Sequence, residues 1–347
     1  MNVFFSKNHL YWLTVIFLLG CIEPETPEFN FKEGLIYIDA FVSTSPEESY
    51  VKISESGFKF NKFVNDFLPN VDVRFKNTET NVIIQLTEED GIYLPLEGFH
   101  ASVGDTWELL ITLPDGRNYQ SLPENIIQPV GFSNLKANYS SELLFREGFN
   151  SFIPGHSISA DINNPTNEKN FYFWTYKLFE EIRLCPPKAG GSYLICETDC
   201  WKIRFYENIK LFSDEFNNAE TINAVPIADI PYYDRGDILV KIHQYSLSES
   251  AYNYFKVIKD LIDNNSGINA PPPVALSGNL FNPNDDDEFV LGRFTAASTS
   301  TKHIFIDRSD ITETPIGPLP IVRFPILETT PCTENRFRTS IEPEGWQ

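Results

Sequence analysis

The chain has 347 residues, a net charge of −21 and an aromatic content of 14%. That charge excludes recognition of nucleic acid and charge-driven adhesion to anionic lipid, because phosphates repel it. The aromatic content excludes a disordered chain, and the length suggests roughly two domains with cores of their own.

At the N-terminus, Lys7 precedes an apolar run from Leu10 to Leu19, followed by Gly20-Cys21. The run is too short to span a bilayer, and a positive start, a short apolar stretch and a small residue before cysteine form a lipoprotein signal. Residues 1–20 are expected to be removed, leaving Cys21 lipidated as the first mature residue and the membrane reached through that lipid. Residues 21–34 begin Cys21-Ile22-Glu23-Pro24-Glu25-Thr26-Pro27-Glu28. Proline and like charge keep such a spacer extended. It reads either as a plain solvated linker or as a mark for export to the outer face of the outer membrane.

Residues 35–128 read as short strands: Leu35–Thr44, Tyr50–Ser54, Val71–Lys76, Asn81–Leu86, Gly91–Leu96 and Thr106–Leu113. Turn signals at Ser45-Pro46, Pro69-Asn70 and Asp90-Gly91 separate them. Leu113-Pro114-Asp115-Gly116-Arg117 predicts a hairpin, since Gly116 accepts positive φ between two strand-like runs. The spacing suggests an immunoglobulin-like or transthyretin-like β-sandwich. Pro123–Gly131 reads as a linker into a larger β-rich domain, residues 129–347, so the fold class is mainly β.

That second stretch opens with strands at His156–Ile162 and Phe171–Phe179, and another follows at Ile238–Tyr245. Ser246-Leu247-Ser248-Glu249 reads as a capping box with Ser246 as the cap. Leu247, Ala251, Tyr254, Phe255, Ile258, Leu261 and Ile262 then recur at helical spacing, predicting one amphipathic helix over 247–264. Phe289–Ser298 and Thr301–Ile306 read as a strand pair.

Beyond Cys21, four cysteines remain: Cys185, Cys196, Cys200 and Cys332. An even count in an oxidising compartment favours two disulfides out of three possible pairings. Cys185–Cys196 around Gly190-Gly191 and Cys200–Cys332 tying back the tail are the preferred set. A four-thiolate zinc site is the alternative, although Cys185 and Cys332 make no second knuckle.

The pattern of Cys21-Ile22-Glu23-Pro24, the Asp115–Ser121 hairpin, Cys200-Trp201, Gln244–Tyr252, Gly278-Asn279 and Val290–Ser298 resembles a Bacteroidota outer-membrane lipoprotein family known as domain of unknown function 4249. Where that family usually has an aromatic residue, Arg293 stands here. The resemblance implies an accessory lipoprotein beside a TonB-dependent receptor, working in nutrient capture, and carries over no catalytic residue.

Catalytic motifs are sparse. His100, His156, His243 and His303 show no metal spacing, Gly155-His156-Ser157-Ile158-Ser159 lacks the second glycine of a nucleophile elbow, and Ser133-Asn134-Leu135-Lys136 lacks its companion motifs. Asp285, Asp286, Asp287 and Glu288 form the densest acidic run, a weak calcium candidate without EF-hand spacing. Tyr232-Tyr233 could stack on a flat ligand or belong to the core. The expectation is a non-enzymatic binding lipoprotein without a cofactor. A structural or adhesive surface protein and a carboxylate-dependent hydrolase are the alternatives.

Overall fold

A computed structural model describes residues 33–59, 62–146, 150–166, 168–182, 200–206, 208–215, 220–263, 276, 278–316 and 332–347. Residues 1–20, Cys21, the spacer up to residue 32, Cys185 and Cys196 lie outside the described residues. In chain order the strands are β1 (Ile36–Ser43), β2 (Tyr50–Lys59), β3 (Lys62–Phe67), β4 (Asp72–Asn77), β5 (Ile83–Gln85), β6 (Thr87–Glu89), β7 (Ile92–Leu94), β8 (Thr106–Thr112), β9 (Asn118–Ser121) and β10 (Glu124–Asn125). Then follow β11 (Phe132–Arg146), β12 (Ser151–Asn163), β13 (Phe171–Glu181), β14 (Trp201–Phe205), β15 (Lys210–Ser213), β16 (Thr221–Pro231), β17 (Ile238–Leu247), β18 (Leu280–Phe281), β19 (Leu291–Ile306) and β20 (Arg338–Thr339). Helix α1 is Glu249–Asp263.

The fold is mainly β, in three sheets. The long sheet runs β20-β14-β13-β17-β19-β1-β2-β7-β6, a second runs β18-β9-β8-β4-β5, and a third runs β11-β12-β16. Residues 34–347 form one compact unit. The long sheet draws strands from both sides of position 128, because β1 pairs in parallel with β19 while β2 pairs antiparallel on its other edge.

Alternation along the long sheet sets two faces. One face carries Ile38, Ala40, Val51, Phe294 and Ala296 against Val73, Phe75, Leu109 and Ile111 of the second sheet. Further along that face, Trp174, Leu178, Val240 and Ile242 pack on Ile158, Ile162 and Ile230 of the third sheet. Between these two cores the linker crosses a polar seam: Gln244 Nε2 and Ser300 Oγ both donate to the Val130 carbonyl, at 2.8 and 2.9 Å, and Ser246 Oγ accepts from the Val130 amide. The opposite face is covered in part by α1, whose Ala251, Tyr254 and Phe255 pack on Phe41, Phe173 and Tyr245.

Three local expectations change. The residues expected as a strand pair form the single 16-residue strand β19. Thr299, Ser300 and Thr301 include no glycine, proline or asparagine, and their hydroxyls bond sideways to Ser43, Val130 and His243. The helix cap is Ser248, whose Oγ accepts from the Ala251 amide at 3.2 Å; Ser246 is spent on Val130 within the strand. The linker also contributes a short strand, since Glu124 and Asn125 pair with Trp107 and Thr106. The 113–117 hairpin forms as expected, with Gly116 at φ 92° and its amide donating to Leu113.

Cys200 and Cys332 are joined in a disulfide across 132 residues, a closure that stabilises by about 5 kcal/mol in the chain-entropy picture. It ties the tail to β14, where β20 then pairs.

Close approach at β19 depends on two glycines. A Cβ on Gly292, at φ 107°, would lie 1.8 Å from the Ile38 carbonyl oxygen, and one on Gly278 would lie 1.6 Å from the Gly292 oxygen. Gly292→Ala is expected to destabilise the chain by at least about 3 kcal/mol, from backbone strain and a forced separation of β1 from β19. Urea unfolding of variant and parent measures it, and a loss within about 0.5 kcal/mol would contradict the register.

Candidate functional site

A cleft of about 1040 Å³ opens on the same face of the long sheet as α1, over the part that the helix does not cover. The same alternation that buries Ile38 and Ala40 turns Asp39 and Phe41 into this cleft. Its walls are aromatic, with Tyr50, Phe173, Phe205 and Tyr206 among the lining residues. One wall is the disulfide-tied tail, from which Arg336 stacks over Phe205 with its guanidinium carbon 4.7 Å from the ring centre. The tail is held down by Trp346, edge-on to Trp201 and Phe305.

Among the acids that line the cleft, Asp39 and Glu48 have opposite environments. Asp39 accepts from the Tyr50 hydroxyl at 3.1 Å. Burial pushes its acid up to about 6, against Tyr50 and the more distant Lys52 and Arg336. Glu48 comes from the β1–β2 turn and is 6% exposed. Burial opposes its charge, but His243, Lys177 and Tyr245 outweigh burial and hold the carboxyl below its ordinary value. Lys177 Nζ lies 2.8 Å and His243 Nε2 3.3 Å from Glu48 Oε1, and the Tyr245 hydroxyl donates to Oε2 at 2.7 Å. Burial also lowers His243 to about 4. Burial drives Tyr50 and Tyr245 well above the ordinary phenol value, leaving both as neutral donors.

The arrangement offers a ligand flat aromatic surfaces, one polarizable acid at Asp39 and a rigid ion-paired end at Glu48. Glu48 anchors the β1–β2 turn onto β13 and β17, so its first role is to hold the cleft open in one shape. Among the described residues, no three histidine, cysteine, aspartate or glutamate side chains converge on a possible metal position.

Most of the residues singled out in the sequence lie elsewhere. Asp285, Asp286, Asp287 and Glu288 form a tight turn: Asp285 Oδ1 accepts from the Asp287 amide at 3.1 Å, and Glu288 accepts from Tyr119 and Asn282. Tyr232 is fully buried, and Tyr233 sits against Arg146 and Arg204. His303 lines the cleft, His243 braces Glu48, and His156 is buried outside the cleft. Cys200 and Cys332 hold the tail wall. Arg293 is buried and ion-paired with Glu124, with Asn279 donating to the same carboxylate at 3.0 Å.

Neither Asp39 nor Glu48 stands out in the sequence as a site residue. Asp39 carries a signal all the same, since it is the one acid inside the apolar alternation Ile36-Tyr37-Ile38-Asp39-Ala40-Phe41. Glu48 carries none, because an acid in a Ser-Pro-Glu-Glu turn looks solvated until β13 and β17 close beneath it.

The family model described as Domain of unknown function (DUF4249) matches residues 22–303. The chain belongs to the DUF4249 family. The matched stretch contains the sheet floor of the cleft, whereas the tail wall from Cys332 onward lies beyond it. No curated protein matches this DUF4249 chain.

Asp39 and the buried histidines give opposing pH slopes. Asp39, raised above its unfolded value of 3.8 to about 6, keeps its proton in the fold after the unfolded chain has lost it, so its contribution to stability falls as pH rises from 4 to 6. His243 and His156, lowered from 6.5 to about 4, contribute stability that rises across the same window. Asp39→Asn removes the first slope and leaves the second. The variant's unfolding free energy is expected to climb more steeply with pH than the parent's and to exceed it at pH 7 by on the order of 2 kcal/mol. Superimposable urea-unfolding profiles across that window would contradict the buried acid.

Proposed function

We propose that this DUF4249 chain is a lipid-anchored, non-enzymatic binding protein at the outer surface of the outer membrane of a Bacteroidota cell. It captures a nutrient in the cleft and passes it to a TonB-dependent transporter. The observation that carries the reading is the cleft itself: its volume, with aromatic side chains set among many charged ones, is that of a site for a small polar ligand. The signal-like N-terminus supports attachment through Cys21. No helix among the described residues is long and apolar enough to cross a membrane, so the lipid supplies the anchor in this reading. Tethering confines protein and transporter to one surface, which raises effective concentration and lets modest affinity suffice.

One observation favours a second reading. An acid raised to about 6 and a carboxyl held below its ordinary value both line the cleft, and environments that push two acids apart are the pattern of general acid and base pairs. Glu48, however, is committed to Lys177, His243 and Tyr245, so a hydrolase would need its second carboxylate from another wall of the cleft.

Replacing Cys21→Ser is expected to move the protein from the membrane fraction to the soluble fraction. In mild detergent the parent is expected to co-purify with a large β-barrel protein, and that association is expected to weaken when Tyr206→Ala and Phe205→Ala alter the cleft wall. An unchanged membrane fraction for Cys21→Ser, or a parent recovered alone from every preparation, would overturn the reading.

A further inference from the structure

Away from the cleft, the third sheet and the segment after β19 enclose a cluster of buried polar atoms without partners. Arg308 is 2% exposed. Its guanidinium lies over the Tyr232 ring, 5.3 Å from the centre, and Nη1 donates to the Asp234 and Gly236 carbonyls at 3.3 and 3.5 Å. Its Nε and Nη2 have no partner. Tyr232 is fully buried and its hydroxyl is also unpartnered. The Tyr139 ring stands edge-on to Tyr232 at 5.9 Å and to His156 at 5.3 Å, while its hydroxyl faces Glu313. With the Tyr139 hydroxyl and His156 Nδ1, five buried polar atoms in one place have no hydrogen-bond partner. Native interiors leave few such atoms, and a cluster of them marks a missing water or ligand.

The chemistry of the orphans selects the ligand. Nε and Nη2 form the side of a guanidinium that meets a carboxylate in two parallel hydrogen bonds. Glu180, Asp234 and Asp237 favour the charge on Arg308 from a distance, yet among the described residues none forms an ion pair with it. Glu180 instead accepts from Arg204 at 2.6 Å. Water would satisfy the donors but leave the buried cation unpaired. We infer that this cluster is a binding site for a carboxylate group, held side-on by Arg308 and hydrogen-bonded by Tyr232 and His156. None of these residues lines the cleft, so the inference is independent of the proposed nutrient site.

The test is thermal unfolding of the full chain at neutral pH in sodium acetate, against sodium chloride of equal ionic strength. Acetate is expected to raise the melting temperature saturably, as a ligand of the folded state does. Arg308→Met is expected to abolish that acetate-specific rise, and Arg308→Lys, which keeps the charge but loses the fork, to weaken apparent affinity about tenfold or more. Tyr232→Phe removes one orphaned hydroxyl with little change of shape; if Arg308→Met fails to fold, a several-fold weaker response in Tyr232→Phe supports the site in its place. A short peptide with a free C-terminus, compared with its amidated form, distinguishes a chain terminus from a free acid as the source, and a response to either source supports the site. Absence of any acetate-specific rise in the parent, or an equal rise in parent and Tyr232→Phe, would reduce the cluster to buried water and overturn the proposal.

Discussion

The parallel pairing of β1 with β19 is the contact on which the molecule depends. It joins the first strand of the described fold to a strand some 250 residues later, aligning Ile38 with Gly292 and Ala40 with Phe294. Parallel neighbours require a long crossover, and here nearly the whole chain is the crossover. The pairing is possible because Gly292 and Gly278 let backbones approach where any side chain would collide. Beside it, Asn279 Oδ1 accepts from the Phe294 amide at 3.0 Å while its Nδ2 donates to the Phe294 carbonyl at 2.9 Å. Its side chain thus stands in for a neighbouring strand.

The rest of the architecture follows from that join. Once β1, β2, β19, β17 and β13 lie in one sheet, one of its faces is long enough to seat two small sheets side by side, with Val130 pinned across the polar gap between them. The other face needs less cover. Helix α1 takes the aromatic end, the disulfide-tied tail takes the far end, and the cleft is the space between. Asp39 is partly buried there, with a raised acid, because it belongs to the central strand β1. Glu48 is ionised there because the turn after β1 folds down onto Lys177 of β13 and His243 and Tyr245 of β17. The charge pattern of the cleft is thus a consequence of strand order.

The local layer of this structure was legible in the sequence. Alternation and turn residues placed β1, β8, β9, β13 and β17, and helical spacing placed α1 within a residue or two of its ends. Pairing across distance was not legible. Nothing in Leu35–Thr44 announces a partner at Leu291–Ile306, so local patterns alone put the two in separate domains. Gly278-Asn279 and Gly292 were visible only as parts of a family pattern, while their physical reason, backbone crowding, needs coordinates. The capping serine was displaced by two positions because Ser246 and Ser248 offer the same local chemistry, and only the demand of Val130 separates them. Asp39 could have been found from its place in an apolar alternation, whereas Glu48 depends on three residues that arrive from more than a hundred positions away.

Segment-resolved amide hydrogen exchange in increasing urea tests the shared sheet most directly. If β1 and β19 join the ends of the chain into one cooperative body, residues 36–43 and 291–306 lose protection at the same urea concentration as 106–112 and 171–181. Loss of protection across 35–128 at a clearly different concentration from 129–306 would contradict it, and the cleft would then lose the floor on which its shape rests.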